Sequence, residues 1–395
     1  MTFKQSFLHL QDTDITRKKL LFRNDFNVPV VDSVITDDTR LVSALPSINY
    51  ALQKQASVML MSHFGRPEEN PSPQAREAYS LKPVAMHLER LLKQPVIFIE
   101  DLYDLPTIQP GQVALLENVR FLQGETHNDA QLAEYMASLC DLYVMDAFAT
   151  AHRKHASTCG VMQYARLACA GFLLAQELEA IGEFIEDPKH PVIAIVGGSK
   201  VSTKLGLLSS LAQQVDRLIV GGGILNTFIA AAGYKVGKSL YEPAFIKQAQ
   251  AIAELVEVPL PETVVVAESC TKESSHSIKR LEQIEDDDMI LDVSVGFVEH
   301  LIDEFKQAKT ILWNGPLGVF EIEQFSYGTA ALAQLIAHSP GFSLAGGGDT
   351  LAAIKKFDVA DRIDYLSTGG GAFLELIENK SLPVLEGLQR FKGKE

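Results

Sequence analysis

Cysteine is scarce, with four in 395 residues, and Cys140, Cys159, Cys169 and Cys270 form no CxxC pair and no metal-ligand spacing. That excludes a disulfide scaffold and the common zinc modules, and leaves reduced, buried thiols as the expected state. Long apolar runs are missing too. The longest, residues 167–175, is far short of the roughly 20 residues a membrane helix needs. The first residues, MTFKQSFLHLQDTD, have no basic start followed by an apolar core. No secretory leader is therefore expected, and a cytoplasmic location is. Positive charge is in deficit, with 35 Lys and Arg against 50 Asp and Glu, a net charge of −15. This argues against a nucleic-acid binder and for a soluble protein. Two nucleotide fingerprints are also absent. No strand leads into GxGxxG with an acid downstream, which removes the main support for a dinucleotide site. GYKVGKS at 233–239 has three residues between Gly233 and GKS where the P-loop has four, and it reads as a surface turn.

What is present describes a globular chain, 47% hydrophobic and 22% charged, long enough for two domains. Apolar strand-like runs alternate with helical periodicity, the sign of parallel sheets. In the first half the runs lie at 18–30, 57–63, 95–100, 113–121 and 142–149, with helices predicted at 41–54 and 81–93. The second half repeats the scheme at 191–198, 216–223, 263–269, 310–316, 342–349 and 362–371. The segment 169–187 has helical periodicity, stops at Pro188, and reads as a connecting helix. No repeat of 20–50 residues and no low-complexity tract interrupts this order.

The two halves differ in kind. Residues 1–186 hold nine of thirteen arginines and six of ten histidines but only six glycines; residues 187–395 hold four arginines and 21 glycines. One half is suited to clamp anions with side chains, the other with backbone amides. In the second half the glycines follow apolar strands, at 197–198, 221–223, 315, 346–348 and 369–371. Ligands of open parallel sheets sit at the carboxyl ends of strands, and glycine there lets backbone approach a phosphate at a helix start.

The motifs, in order, resemble the phosphoglycerate kinase family along essentially the whole chain. They are RNDFNVP (23–29), DDTR (37–40), SHFGRP (62–67), ENVRF (117–121), DAFATAHRKHAST (146–158), GGSKVSTK (197–204), LWNGPLGVFE (312–321), AGGGDT (345–350) and STGGGA (367–372). The resemblance implies an α/β fold of two doubly wound domains, each with a mainly parallel sheet flanked by helices. Its boundaries would be 1–170 plus 376–395 for 3-phosphoglycerate, a hinge helix at 171–186, and 187–375 for nucleotide.

The resemblance also implies roles. His63, Arg66, Arg120 and Arg153 would hold the 3-phosphate, a task suited to paired guanidinium bonds. Asp25, Phe26 and Asn27 would orient the rest of the substrate with Phe64 and Gly65, and Arg40 would lie beside the reacting carboxylate. His152 and His155 read equally as ligands and as packed or ion-paired histidines. Lys204, Asn314, Glu321, Gly347, Gly348, Asp349 and Thr350 would take ATP or ADP, with Asp349 on magnesium and Glu321 on the ribose. An N-cap role for Asp349 and a solvated first-turn acid at Glu321 are the minor alternatives. Lys200, Gly370 and Gly371 would join Arg40 at the transferring group.

The acceptor carboxylate is ionised at neutral pH and needs no general base. What the protein must supply is alignment and cancellation of charge, after closure has excluded water. A cytoplasmic monomer, with no nucleic-acid or membrane partner, completes the expectation. Phe64 stands where the family usually has leucine, Ala149 where it has glycine, and Ser199 and Thr203 where it has alanine and aspartate. DVSVGF at 292–297 replaces a DIGPxT-like stretch. A nicotinamide-dependent dehydrogenase and a catalytically silent binding relative are the competing readings. The missing GxGxxG weighs against the first, and intact Arg40, Lys200, Lys204 and Asp349 against the second.

Overall fold

The computed structural model describes residues 6–31 and 34–393. The chain divides into two compact units, Met1–Glu179 with Ser381–Glu395, and Ala180–Lys380. The boundary falls inside the helix Phe172–Ile185.

The first unit is built on six parallel strands: β1 (Lys19–Asn24), β4 (Ser57–Met61), β5 (Val96–Ile99), β6 (Val113–Leu116), β7 (Leu142–Asp146) and β8 (Ala168–Ala170). A two-residue antiparallel ladder, β2 (Val30–Val31) with β3 (Val34–Ile35), lies apart from them. Every residue of β4 and β7 is buried, which is why these strands read as continuous apolar runs rather than as alternating ones. The order is β5-β6-β4-β1-β7-β8. The chain steps from β1 to one side and later crosses to β7 on the other, which puts a ligand crevice at the carboxyl ends of β1 and β7. The helices Thr39–Gln53 and Lys82–Leu92 occupy the two predicted helical spans. Their inner residues Leu41, Ala44, Ile48, Val84 and Leu88 join the core beneath β1 and β4.

The second unit repeats the plan with β9 (Val192–Gly197), β10 (Arg217–Gly221), β14 (Thr310–Asn314), β15 (Phe342–Gly346) and β16 (Tyr365–Ser367), all parallel. Their order, β10-β9-β14-β15-β16, places the switch point between β9 and β14. The other three strands, β11 (Thr263–Ala267), β12 (His276–Arg280) and β13 (Met289–Val293), form a separate antiparallel sheet.

That sheet corrects the expectation for 263–269, which read as one more parallel strand. A short apolar run carries no sign of its pairing direction, and β11 found its partners in later strands that the sequence left unmarked. Several predicted strands also proved too long, among them 142–149, which ends at Asp146, and 362–371, of which only Tyr365–Ser367 is strand. β1 ends at Asn24, and the run 113–121 ends at Leu116, giving way to a 3-10 turn at Val119–Phe121 held by Asn118. The predicted helix 169–187 gives its first residues to β8 and begins at Phe172. The cysteines are free, but Cys270 is exposed and Cys140 half-buried, so the expectation of buried thiols holds only for Cys159 and Cys169. Among the described residues no helix is long and apolar enough to cross a membrane.

Candidate active site

In the first unit the loops after β1, β4, β6 and β7 carry the predicted anion ligands. Asp25 follows β1 and pairs with Arg40 at 2.9 Å; Arg40 Nη1 also donates to the Asn27 carbonyl at 2.9 Å. Asn27 Oδ1 accepts from the Gly65 amide at 2.8 Å, which ties the β1 loop to the β4 loop. His63 is 4% exposed and lies between two guanidinium groups, Arg23 Nη2 at 3.5 Å from Nδ1 and Arg153 Nη1 at 3.3 Å from Nε2. Burial, then the charges of Arg23, Arg153, Arg120 and Arg40, hold its imidazole well below its usual pKa, so it is neutral. Arg120 and Arg153 are half-buried and pushed down by burial, each also feeling the charge of other arginines. Such crowding of like charge is costly in the empty protein and is relieved by an anion.

Two predicted residues face elsewhere. Phe26 is fully buried within the hydrophobic core, so its side chain supports the β1 loop and cannot line a ligand. Phe64 is partly buried and packs against the same core. Arg66 is exposed. Burial, followed by the field of Arg120, pushes His155 down to about 4, so it too is neutral.

Sequence reasoning left out the layer beneath the arginines. Arg23 is 1% exposed and donates from Nε to Ser157 Oγ at 2.9 Å and from Nη1 to the Asn24 carbonyl. Ser157 in turn gives its hydroxyl and its amide to Glu125, at 2.6 and 2.8 Å. Glu125 is fully buried, and burial raises its pKa against the opposing pull of Arg23 and Ser157. The signal for Arg23 was available, since a charged residue interrupts the apolar run of a strand covered on both faces. Glu125, in a loop, offered none.

In the second unit the glycine loops gather at the ends of β9, β14 and β15. Lys204 reaches back from the helix Val201–Leu211 to the Gly197 carbonyl at 2.6 Å and Asn314 Oδ1 at 2.6 Å. Burial lowers its pKa to about 8, while Asp349 acts in the opposite direction. Lys200 is exposed at the N-cap of the same helix. Asp349 is exposed in the first turn of the helix Gly348–Lys356, whose N-cap is Gly347, so Asp349 is not a capping residue. Thr350 is buried, accepting from the Gly315 amide at 2.8 Å and donating to the Gly346 carbonyl at 2.9 Å. It braces the loops and has no face for a ligand. Glu321 is exposed and lies outside any helix, on a cleft of about 770 Å³ that it shares with Lys272, Tyr327, Lys356 and Phe357.

The glycines divide into two kinds. A Cβ on Gly197 would meet the Pro316 carbonyl at 1.9 Å, and one on Gly315 would meet the Gly197 carbonyl at 2.3 Å. These serve loop against loop. At Gly348 and Gly370 a Cβ would meet nothing within 4 Å, and these are the positions where backbone is open to a phosphate.

A family model described as phosphoglycerate kinase matches residues 10–380. A solved phosphoglycerate kinase from Coxiella burnetii is 47% identical, with a TM-score of 0.92, over 97% of this chain and 99% of its own. Another, from Pyrococcus horikoshii OT3, is 31% identical with a TM-score of 0.81, over 98% of this chain and 100% of its own.

Proposed function

The chain belongs to the phosphoglycerate kinase family and has that family's activity, reversible phosphoryl transfer between ATP and 3-phosphoglycerate, and from that premise we propose that its two units divide the ligands. The first unit takes 3-phosphoglycerate and the second the nucleotide. The observation that carries this reading is the gathering of Arg23, Arg40, Arg120 and Arg153 around one buried, neutral histidine. Cations so placed at strand ends suit a phosphate, with Arg66, Arg120, Arg153 and His63 on the 3-phosphate. Asp25 and Asn27 orient the glycerate. Among the described residues Arg40 bonds through Nη1, and its Nη2 is the group that would meet the carboxylate.

On the nucleotide side, Lys204, the Gly347 amide and the open backbone at Gly348 face the phosphates, and Glu321 meets the ribose. Magnesium belongs to this reading. Among the described residues no three His, Cys, Asp or Glu gather to hold a metal, but magnesium on a nucleotide needs only one or two carboxylates beside phosphates and water. Asp349, exposed at a helix start, fits that donor set. The ion would neutralise charge on the phosphate oxygens.

The acceptor is already a carboxylate, so no base is required. Lys200, Arg40 and the Gly370 and Gly371 amides oppose the charge on the transferring oxygens, and closure about the helix Phe172–Ile185 brings the two ligands into line. A cytoplasmic monomer is the setting this reading fits. The test is a coupled assay for 1,3-bisphosphoglycerate formed from ATP and 3-phosphoglycerate. Nucleotide binding without transfer would overturn it.

A further inference from the structure

We propose that Asn314 is a positioning residue for Lys204, holding its ammonium at the crevice between β9 and β14; this rests on the nucleotide-site reading above. Asn314 closes β14 and is 2% exposed. Both ends of its amide are committed to protein groups. Oδ1 accepts from Lys204 Nζ at 2.6 Å, and Nδ2 donates to the Gly346 carbonyl at the end of β15, also at 2.6 Å. The family resemblance gave Asn314 to the nucleotide, yet its Oδ1 is held by Lys204 and one of its two Nδ2 hydrogens by the Gly346 carbonyl, so protein groups fix the side chain's orientation.

Lys204 has three acceptors, the Gly197 carbonyl, the Asn314 carbonyl at 3.3 Å and Asn314 Oδ1. All three are neutral. Asp349, whose charge favours the ammonium, makes no ion pair with it among the described residues. The ammonium is thus pinned with its charge uncancelled, the state in which it attracts a polyphosphate most strongly. An aspartate at 314 would cancel that charge and repel the phosphates, and it could not donate to Gly346. Alanine would free a flexible four-carbon stem. An amide is the side chain that accepts from Lys204, donates to Gly346 and adds no charge.

Competitive labelling of the ligand-free protein with acetic anhydride, read by mass spectrometry of the Lys204 peptide across pH, tests this without any substrate. A failed kinase assay would leave the result standing. In Asn314→Ala the ammonium loses one of its three acceptors, the side-chain oxygen, so Lys204 should react severalfold faster at pH 7.5 and half-titrate lower than in the parent. In Asn314→Asp the new carboxylate should move the same profile the other way and suppress labelling. If either variant fails to fold, the other still reads the contact. A Lys204 profile unchanged in the variants that fold would overturn the proposal, and unchanged labelling with weakened ADP binding would make Asn314 a direct nucleotide ligand instead.

Discussion

A guanidinium as buried as that of Arg23 is tolerated because its donors are matched by Ser157, the Asn24 carbonyl and His63. Arg66 and Arg120 differ: Arg66 is exposed, and the buried Nε of Arg120 has no hydrogen-bond partner among the described residues. Arg66→Ala or Arg120→Ala should therefore weaken 3-phosphoglycerate by about 10- to 100-fold, the loss of one charge-assisted bond of roughly 1.5–3 kcal/mol. Calorimetric titration should find ADP affinity nearly unchanged, and an equal loss for both ligands would mean that these arginines hold the fold. Lys200, exposed at a helix N-cap, is free to follow charge as it develops. Lys200→Ala should lower kcat by roughly 10²- to 10³-fold with little change in the nucleotide KM, whereas a raised KM at normal kcat would make it a binding residue. Arg40, Arg120, Arg153 and Lys204 were legible because a cation inside an ordered motif stands out in sequence. Glu125 and Ser157 were not, because their work depends on a loop folding back under β1.

Among elements, the loop 315–321 is fastened from below. Leu317 and Gly318 give their amides to Thr329 Oγ1, at 3.1 and 3.2 Å. Asp292, 2% exposed, accepts from the Gly328 amide at 2.7 Å and from the Val293 amide at 2.9 Å. Burial raises its pKa to about 8 even so. The group binds a proton in the folded state that it releases on unfolding, so its contribution to stability falls as pH rises from about 4 through 8. Asp292→Asn offers one acceptor where two donors point, and should cost roughly 1–3 kcal/mol at low pH. Urea unfolding across pH should show that deficit shrinking toward pH 8, and a constant deficit would contradict a raised pKa. The stretch 292–297 departs from the family pattern, yet Ser294 accepts from the Phe297 amide as the N-cap of the helix Val295–His300. The parallel strands of the second unit were readable from apolar runs closed by glycine, whereas β8 (Ala168–Ala170) was hidden at the start of a span that read as helix. β12 was not readable either, for its five residues HSIKR are mostly exposed and polar.

For the whole molecule, the proposed division of ligands predicts that transfer depends on closure. Small-angle scattering should give a smaller radius of gyration for the ternary complex than for the apo or either binary form, and four equal values would remove closure from the mechanism. A different consequence follows from the helix Pro383–Gln389, which belongs to the first unit. Its Val384 amide donates to the Ala151 carbonyl at 3.2 Å, two residues from Arg153, and its Gly387 lies close against Met162. A ribosome delivers that helix only after all of residues 180–380. The second unit is therefore complete in the growing chain before the first can be finished, the reverse of the usual order in which amino-terminal domains fold first. Nascent chains arrested once residue 380 has cleared the exit tunnel should bind ADP while still failing to bind 3-phosphoglycerate. Equal binding of both would show that the Arg153 loop sets without its last support.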